Sequence, residues 1–398
     1  MKKKSSIALV ITLVLLVSAL TSLILFLVKG DFSNPNAAVY RDFAALLEKI
    51  EEMYIGEYDV KEISAAAMRA AVDALGDRWS YYLTPEEYAM YMNSSNNQFA
   101  GIGISASVNA ETGDVVVVYT YPGSPAEMAG IQAGDIILEV DGQPLSGSGI
   151  DAMRALLVRP IGDAAELTIV RTDGTIETIE VVYDMVFSDP ITFEMIDDNI
   201  GYVSIANFEA GAADGFIYAV NQLQEMGARA FIYDVRCNGG GRVNELTRML
   251  DFLLPVGEIF VSVDRDGNEE VTLSDVNMID APAVVLVDKY SFSAAEYFAA
   301  LLSEYGYAQI VGEQTTGKSR SQRTEILPGG GALHISTNQY LTKDRIALFD
   351  VGGLTPDYQL SLSDDDITLL MSGNLGKDSD QQLLLALEVV GELIKSNK

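Results

Sequence analysis

Histidine and cysteine are almost missing from this chain of 398 residues, which contains one of each, His334 and Cys237. A lone cysteine excludes an intramolecular disulfide and a cysteine-rich zinc site. A lone histidine excludes metal centres built from several histidines, and it leaves one candidate for histidine-dependent acid–base chemistry. If the protein is a hydrolase, we therefore expect its general base to be another residue type.

Basic residues are also scarce, because 26 Lys and Arg face 57 Asp and Glu and give a formal net charge of −31. Proteins that bind a phosphate backbone need clustered Lys and Arg, so we do not expect nucleic acid as a partner. Hydrophobic residues make up 48% and charged residues 21%, as in ordinary globular proteins. The length indicates roughly two or three domains.

The longest uncharged run lies near the N-terminus. Residues 7–28 carry no charged side chain and follow Lys2, Lys3 and Lys4. At about 1.5 Å per residue, a helix of this length crosses a bilayer. Positive charge ahead of the run favours a cytoplasmic N-terminus. We therefore predict one uncleaved transmembrane anchor, with everything after residue 30 outside the cytoplasm; a cleaved signal peptide is the alternative.

Beyond the anchor, the pattern of apolar residues and glycines changes along the chain. Residues 38–75 have helical spacing, and the sequence from Thr84 to Glu87 predicts a capped helix start. Short strands and many glycines then predict a small β-rich module, and alternating strands and helices predict an α/β domain with a largely parallel sheet. The predicted parts are 1–30 (basic residues and anchor), 31–95 (helical segment), 96–185 (β-rich domain), 186–372 (α/β domain) and 373–398 (C-terminal helix).

Three strand-to-helix or loop junctions in the α/β part are candidates for chemistry. A glycine turn occupies 239–241, and Ser293 stands between a buried strand and a helix, where it also fits a capping box with Glu296. Residues 312–319 satisfy the P-loop pattern GxxxxGK[ST], so a nucleotide hydrolase is an alternative. A P-loop lysine is followed by a helix, however, whereas the residues after 319 break into glycines and a strand.

These junctions together resemble the C-terminal processing proteases, also called tail-specific serine proteases. The family's DLRxNPGG is similar to residues 234–241, its SASASE to 291–296 and its GxxTxGKGxxQ to 312–322. Residues 123–142 resemble a stretch of bacterial PDZ domains. The resemblance implies an α/β protease domain with a small PDZ domain and an N-terminal helical segment after one transmembrane helix. It further implies a membrane-anchored, extracytoplasmic serine endopeptidase that needs no cofactor or metal and acts on proteins or peptides with exposed C-terminal tails.

Carried over residue by residue, the resemblance implies Ser293 as the nucleophile, Lys318 as the general base and Gln322 as the residue that orients the lysine. Backbone N–H groups of Gly240 and Ala294 would form the oxyanion hole. The lysine must be neutral to accept a proton, yet with an ordinary pKa only about one lysine in a thousand is neutral near pH 7.4. Burial is expected to lower that pKa.

In the PDZ domain, the resemblance assigns capture of a peptide's terminal carboxylate to the loop formed by Gly101, Ile102, Gly103 and Ile104, while the peptide adds a strand to the sheet. Plain turn glycines are the alternative. Arg159 resembles a family residue that would couple peptide binding to the protease, with a surface salt bridge as the alternative.

Some expectations concern residues outside this scheme. Cys237 is expected to fill space rather than act as a thiol nucleophile, and His334 to occupy a surface position on a strand. Apolar faces at 38–75 and 381–394 predict contacts in a homodimer. A non-catalytic PDZ scaffold or chaperone, with a degenerate protease domain, is the non-enzyme alternative.

Overall fold

The computed structural model describes residues 36–109, 112–145, 156–275, 278–371 and 373–396. The predicted anchor at 7–28 lies outside these residues. Within the described ranges, no helix has the length and apolar character needed to cross a membrane.

The chain divides into two compact units, one ending at Ala71 and the other starting at Val72. The helices predicted within 38–75 are confirmed as α1 (Ala37–Met53) and α2 (Val60–Asp73). No described side chain of α1 is buried, and Leu46 and Met53 on this helix are exposed.

The second unit begins with β1 (Tyr81–Leu83) and α3 (Pro85–Ser95). The predicted capped start of α3 is confirmed. The Glu87 N–H donates to the Thr84 hydroxyl, and the Thr84 N–H donates to the Glu87 carboxylate. This reciprocal pair satisfies two N–H groups that a helix start otherwise leaves without partners.

The β-rich module follows. Its strands are β2 (Gln98–Gly101), β3 (Ile104–Val108), β4 (Val115–Thr120), β5 (Ile136–Val140), β6 (Gln143–Pro144), β7 (Ala164–Val170), β8 (Ile176–Val182) and β9 (Asp184–Phe187), with the short helix α4 (Pro125–Met128). The sheet order is β3-β4-β5-β7-β8, with β6 on β5, while β2 pairs with β9. A separate core of apolar side chains, including Val117, Ile137 and Leu167, fills this module.

A six-stranded sheet organises the α/β domain in the order β10-β11-β12-β15-β16-β19. Its strands are β10 (Ile191–Asp197), β11 (Ile200–Ile205), β12 (Ala230–Asp234), β15 (Ala283–Val287), β16 (Ala308–Gly312) and β19 (Tyr358–Gln359). All but β10 run parallel, as predicted. On one face pack α5 (Ala212–Glu225), α6 (Val243–Leu253) and α7 (Ala294–Glu304). After a further helix, α8 (Asp364–Met371), comes α9 (Gln381–Ser396), which covers the other face.

A second sheet of this domain joins distant parts of the chain. It has the order β1-β18-β13-β14, with β17 on β18. Its remaining strands are β13 (Glu258–Val263), β14 (Glu269–Leu273), β17 (Arg320–Ile326) and β18 (Ala332–Leu341). Strand β18 pairs with β1 on one side, where Tyr81 lies opposite His334, and with β17 on the other. The segment before β1 therefore lies beside the loop that precedes β17.

One expectation about assembly is wrong. The apolar side chains of α9, among them Leu383, Ala386 and Val390, are buried against strands β12 and β15 of the same chain. The apolar face at 381–394 is therefore covered within the chain and is not free to contact a second copy.

Candidate active site

Ser293 occupies the sharp junction between strand β15 and helix α7. Its backbone has φ 60° and ψ −124°, a conformation that a residue with a Cβ seldom adopts. Its side chain accepts no capping hydrogen bond, so the capping-box alternative is wrong. Its hydroxyl lies close enough to the Tyr340 hydroxyl to influence the pKa of that tyrosine. A strained residue at the start of a helix, with its hydroxyl free of the cap, is typical of a nucleophile.

Lys318 lies in the loop between β16 and β17, and only 9% of its surface is exposed. Burial lowers its pKa to about 8; Asp77 opposes this shift and Arg78 adds to it. About one such lysine in five is neutral near pH 7.4, a large gain over an exposed lysine. Lys318 and Ser293 line the same cavity, whose volume is about 660 Å³.

Glu296 connects these two residues. It lies on α7 one turn after Ser293, and it is completely buried. Its carboxylate accepts the N–H groups of Gly317 at 2.7 Å and Lys318 at 2.9 Å, and it also accepts the Thr315 hydroxyl. The start of helix α7 thus carries the candidate nucleophile, and the helix also holds the backbone of the candidate base. Sequence analysis missed this role because spacing alone suggested a helix cap.

The glycine turn lies against Ser293. A Cβ on Gly240 would stand 2.7 Å from the Ser293 Cβ and 2.8 Å from the Ala294 nitrogen, so this close approach requires glycine. The Gly240 N–H donates to Asn238 Oδ1 at 2.7 Å. The Asn238 amide in turn donates to the Ile205 carbonyl. In this structure the Gly240 N–H therefore already has a partner.

Gln322 lines the same cavity, but its side chain does not reach the lysine. Among the described residues, its amide nitrogen donates to the Arg320 carbonyl at 2.9 Å and to the Ser336 hydroxyl at 3.0 Å. The Lys318 amine is flanked by two aromatic rings instead. Its Nζ lies 4.5 Å from the centre of the Trp79 ring and 5.9 Å from that of Phe292.

His334 is not the surface residue that the sequence suggested. It lines the active-site cavity, its ring stacks on Tyr81 at 4.6 Å, and its Nδ1 shares a hydrogen bond with the Thr324 hydroxyl. Burial, together with the charge of Lys318, lowers its pKa to about 4. A histidine that is neutral at physiological pH and engaged in this way is part of the cavity wall.

Two alternatives for this region are wrong. Lys318 is followed by strand β17 and not by a helix, so residues 312–319 cannot present helix N–H groups to a phosphate as a P-loop does. Cys237 donates its thiol to Asp288 at 3.2 Å, and burial with that carboxylate raises the thiol pKa to about 12. A thiol with such a pKa is a poor nucleophile at neutral pH.

Comparison with known proteins agrees with this geometry. Residues 199–360 match the model of peptidase family S41, and residues 116–171 match that of the PDZ domain. The α/β domain belongs to peptidase family S41. The motif resemblance to C-terminal processing proteases is thereby confirmed.

Individual relatives extend the match. A carboxyl-terminal-processing protease of Picosynechococcus sp. is 33% identical over 274 residues, which are 67% of this chain and 66% of that protein. The carboxy-terminal processing protease CtpA of Bacillus subtilis is 29% identical over 75% of this chain and 64% of its own length. The chain thus spans just under two thirds of these relatives. A solved putative S41 protease from Bacteroides fragilis, 19% identical, shares the fold with a TM-score of 0.59 over 85% of this chain and 93% of that one.

The PDZ domain contains the predicted carboxylate-binding loop. Gly103 has φ 79°, and a Cβ there would stand 2.2 Å from the Ser124 Cβ, so the position needs glycine for its packing as well as its conformation. Ile102 is buried, and its carbonyl accepts the Ala126 N–H. Gly101 ends β2 and Ile104 begins β3. Within the described part of the chain, β3 pairs with β4 alone, which leaves one edge open for an added strand.

Arg159 makes its contacts inside the PDZ domain. It forms an ion pair with Asp141, donates to the Leu156 and Ala164 carbonyls, and lies over the Tyr183 ring. In the described residues these partners all fall between 141 and 183. The structure therefore brings Arg159 to the PDZ fold and not to the protease cavity.

Proposed function

We propose that the protein is a serine endopeptidase that processes the C-terminal tails of proteins, with Ser293 as nucleophile and Lys318 as general base. The observation that carries this proposal is a buried lysine whose pKa is lowered to about 8 in the cavity that it shares with a strained serine. Such a pair can generate a serine nucleophile without histidine.

The reaction would proceed in two steps. Neutral Lys318 takes the proton of the Ser293 hydroxyl as Oγ attacks the substrate carbonyl carbon, and the carbonyl oxygen becomes an oxyanion. Protonated Lys318 then gives its proton to the leaving amine as the peptide bond breaks. Water, deprotonated by the same lysine, hydrolyses the acyl-enzyme and restores both groups.

The Gly240 and Ala294 N–H groups are the proposed oxyanion donors. Ala294 opens helix α7, so its N–H is among those without a partner inside the helix. For Gly240 to take part, the oxyanion must displace the Asn238 oxygen that now accepts its N–H. Gln322 would have to rotate away from Arg320 and Ser336 to orient the lysine. Substrate binding would thus complete the site.

The PDZ domain would capture the substrate tail. Its open β3 edge and the loop from Gly101 to Ile104 support addition of an extended peptide that ends in a free carboxylate. Coupling of this event to the protease through Arg159 remains part of the proposal.

Anchoring and location rest on the sequence alone. The uncharged run at 7–28 after three lysines supports a single-pass protein of the cell membrane with an extracytoplasmic protease. The exposed apolar side chains of α1 support a homodimer through that helix. Light scattering that gives one protomer mass at all concentrations would exclude the dimer.

Cleavage of an unfolded protein with an apolar C-terminus tests the function. The full chain is compared with Ser293→Ala and Lys318→Met, under chelation and without ATP, with the exposed Lys377→Met as the matched control. Cleavage by wild type and Lys377→Met, but by neither site variant, is the expected result. Tail binding by a folded wild type that cleaves nothing would instead favour the PDZ scaffold.

A further inference from the structure

The single tryptophan of the sequence, Trp79, lies inside the active site. Its ring centre is 4.5 Å from Lys318 Nζ and 5.4 Å from the ring centre of Phe292. The two rings therefore lie against the same amine. Trp79 belongs to the segment just before β1, far from Lys318 in sequence, and the motifs that identify the catalytic residues do not include it.

The segment that carries Trp79 is firmly attached. The Trp79 N–H and the Ser80 hydroxyl both donate to Asp77, at 3.2 and 2.7 Å. The Ser80 hydroxyl also accepts the Ser336 N–H of strand β18 at 3.0 Å. These bonds fix the backbone on both sides of the ring, so the ring has a defined position beside the lysine.

Trp79 also forms part of the wall of two cavities. One is the active-site cavity of about 660 Å³, and the other has about 810 Å³ and is lined by Asp77, Arg320 and Asn338 among others. Trp79 lines both. Removing the indole would take away part of the wall of each cavity and open space for water beside the Lys318 amine.

We propose that Trp79 is a positioning residue for Lys318. Together with Phe292, the Trp79 ring encloses the Lys318 amine, keeps water from this amine and holds the amine in the cavity that Ser293 also lines. This inference rests on the proposed role of Lys318 as the general base. It assigns to the segment before β1 a direct part in preparing that base.

The groups that face Lys318 shift its pKa in both directions. Asp77 raises the lysine pKa and Arg78 lowers it, while the His334 ring is neutral at physiological pH because its own pKa is about 4. Burial is the largest influence and lowers the lysine pKa. Attraction between an ammonium group and an aromatic face acts in the opposite direction. Replacing Trp79 by a bulky apolar residue and replacing it by a small residue should therefore shift the Lys318 pKa in opposite directions.

Intrinsic fluorescence tests the contact without any need for activity. Because Trp79 is the only tryptophan, emission reports on its surroundings when excitation is at the red edge of tryptophan absorption, where the 19 tyrosines do not absorb. We expect emission to change with a midpoint near pH 8, where Lys318 titrates, and this change to vanish in Lys318→Met but persist in Lys377→Met. No change in wild type between about pH 7 and pH 9, or one that survives in Lys318→Met, would overturn the inference.

Two substitutions then separate enclosure from attraction. Acetylation of Lys318, followed by peptide mass spectrometry across a pH series, measures its pKa in Trp79→Leu and Trp79→Ala. We expect Leu to keep the pKa at or below that of wild type, and Ala to raise it by about one unit, which leaves roughly tenfold less neutral lysine at pH 7. An unchanged pKa in folded Trp79→Ala would overturn the inference.

Activity provides the last measurement. In Trp79→Ala, kcat should fall at neutral pH and recover as pH rises, with KM little changed. A loss of kcat that is equal at all pH values would show a structural role only. If wild type cleaves nothing while the fluorescence result holds, the proposed function fails, and only the part of the inference that places Trp79 around the Lys318 amine stands.

Discussion

At the scale of single residues, the lysine shows how burial creates a base. Lys318 is 9% exposed as a residue, and two rings flank its amine, so burial destabilises the charged form. The same burial places a cost on the folded state at neutral pH. The proposed role of Lys318 as a base and the stability of the fold therefore depend on the same burial.

This cost gives a pH dependence of stability. In the folded state, the Lys318 pKa is lowered from 10.5 to about 8. Between these two pH values the unfolded chain binds one proton more, so the free energy of unfolding should rise with pH, by about 3 kcal/mol in all. Lys318→Met should lack this rise and be more stable at pH 7. Urea denaturation over a pH series measures it; parallel curves for wild type and Lys318→Met would contradict it.

A second prediction concerns Glu296. Glu296→Gln keeps the size of the side chain but weakens its hold on the Gly317 and Lys318 N–H groups. Loss of charged hydrogen bonds worth about 2 kcal/mol should lower kcat roughly thirtyfold. KM should change little, because Glu296 is buried away from substrate. Glu304→Gln, on the same helix, is the matched control, and equal kinetic loss in both variants would argue against the positioning role.

Sequence patterns could find Ser293 and Lys318 because their motifs are local. Such patterns could not show that Trp79 and His334 line the same cavity, or that Glu296 binds the Lys318 backbone. Trp79 and His334 come to line one cavity through the pairing of β1 with β18, two strands that lie at distant positions in the chain. Glu296 follows Ser293 at the spacing of a helix cap, and only the loop above it shows that it binds Lys318.

At the scale of elements, the predicted order of strands and helices holds because periodicity reports local burial. The function of each helix face depends on what lies against it. The apolar face of α9 reads in sequence as a surface for a partner, yet it covers the sheet of its own chain. Its first turn also reaches the end of β12, where Arg236 donates to Asp380 at 2.9 and 2.8 Å.

The contact between Arg236 and Asp380 gives a third prediction. Arg236 is almost inaccessible and shares its charge between Asp234 and Asp380. Asp380→Asn should lower the free energy of unfolding by about 2 kcal/mol, because a buried guanidinium loses half of its compensation. Asp378→Asn, exposed and two residues earlier, should have little effect. Chemical denaturation of both variants distinguishes them, and equal stabilities would contradict the prediction.

A fourth prediction belongs to the turn before β3. Gly103 and Gly123 both have positive φ, but only Gly103 has a neighbour where a Cβ would stand. Gly103→Ala should therefore destabilise the protein by about 2 kcal/mol more than Gly123→Ala. It should also weaken binding of a peptide that ends in a free carboxylate. Similar stability and binding in the two variants would show that the turn tolerates a side chain.

At the scale of the whole molecule, acidic residues outnumber basic ones by more than two to one. Such a charge repels acidic polypeptides and attracts basic ones at long range. Basic tails should be captured faster than acidic tails in about 20 mM salt, and the difference should shrink in about 200 mM salt as the Debye length shortens. Stopped-flow measurement with paired peptides checks this. A difference that salt leaves unchanged would mean that local contacts decide it.

The position of helix α7 between Ser293 and Lys318 affects where the sequence can tolerate insertions and deletions. The proposed nucleophile Ser293, the carboxylate of Glu296 and the proposed base Lys318 all fall within residues 293–318, a single uninterrupted stretch of sequence. Insertions and deletions in loops remote from the cavity can change loop length without altering the distance between the Ser293 hydroxyl and the Lys318 amine. Within the stretch, one added residue would move the amine relative to Glu296. We therefore expect insertions next to Lys318 to be tolerated less well than insertions in loops remote from the cavity.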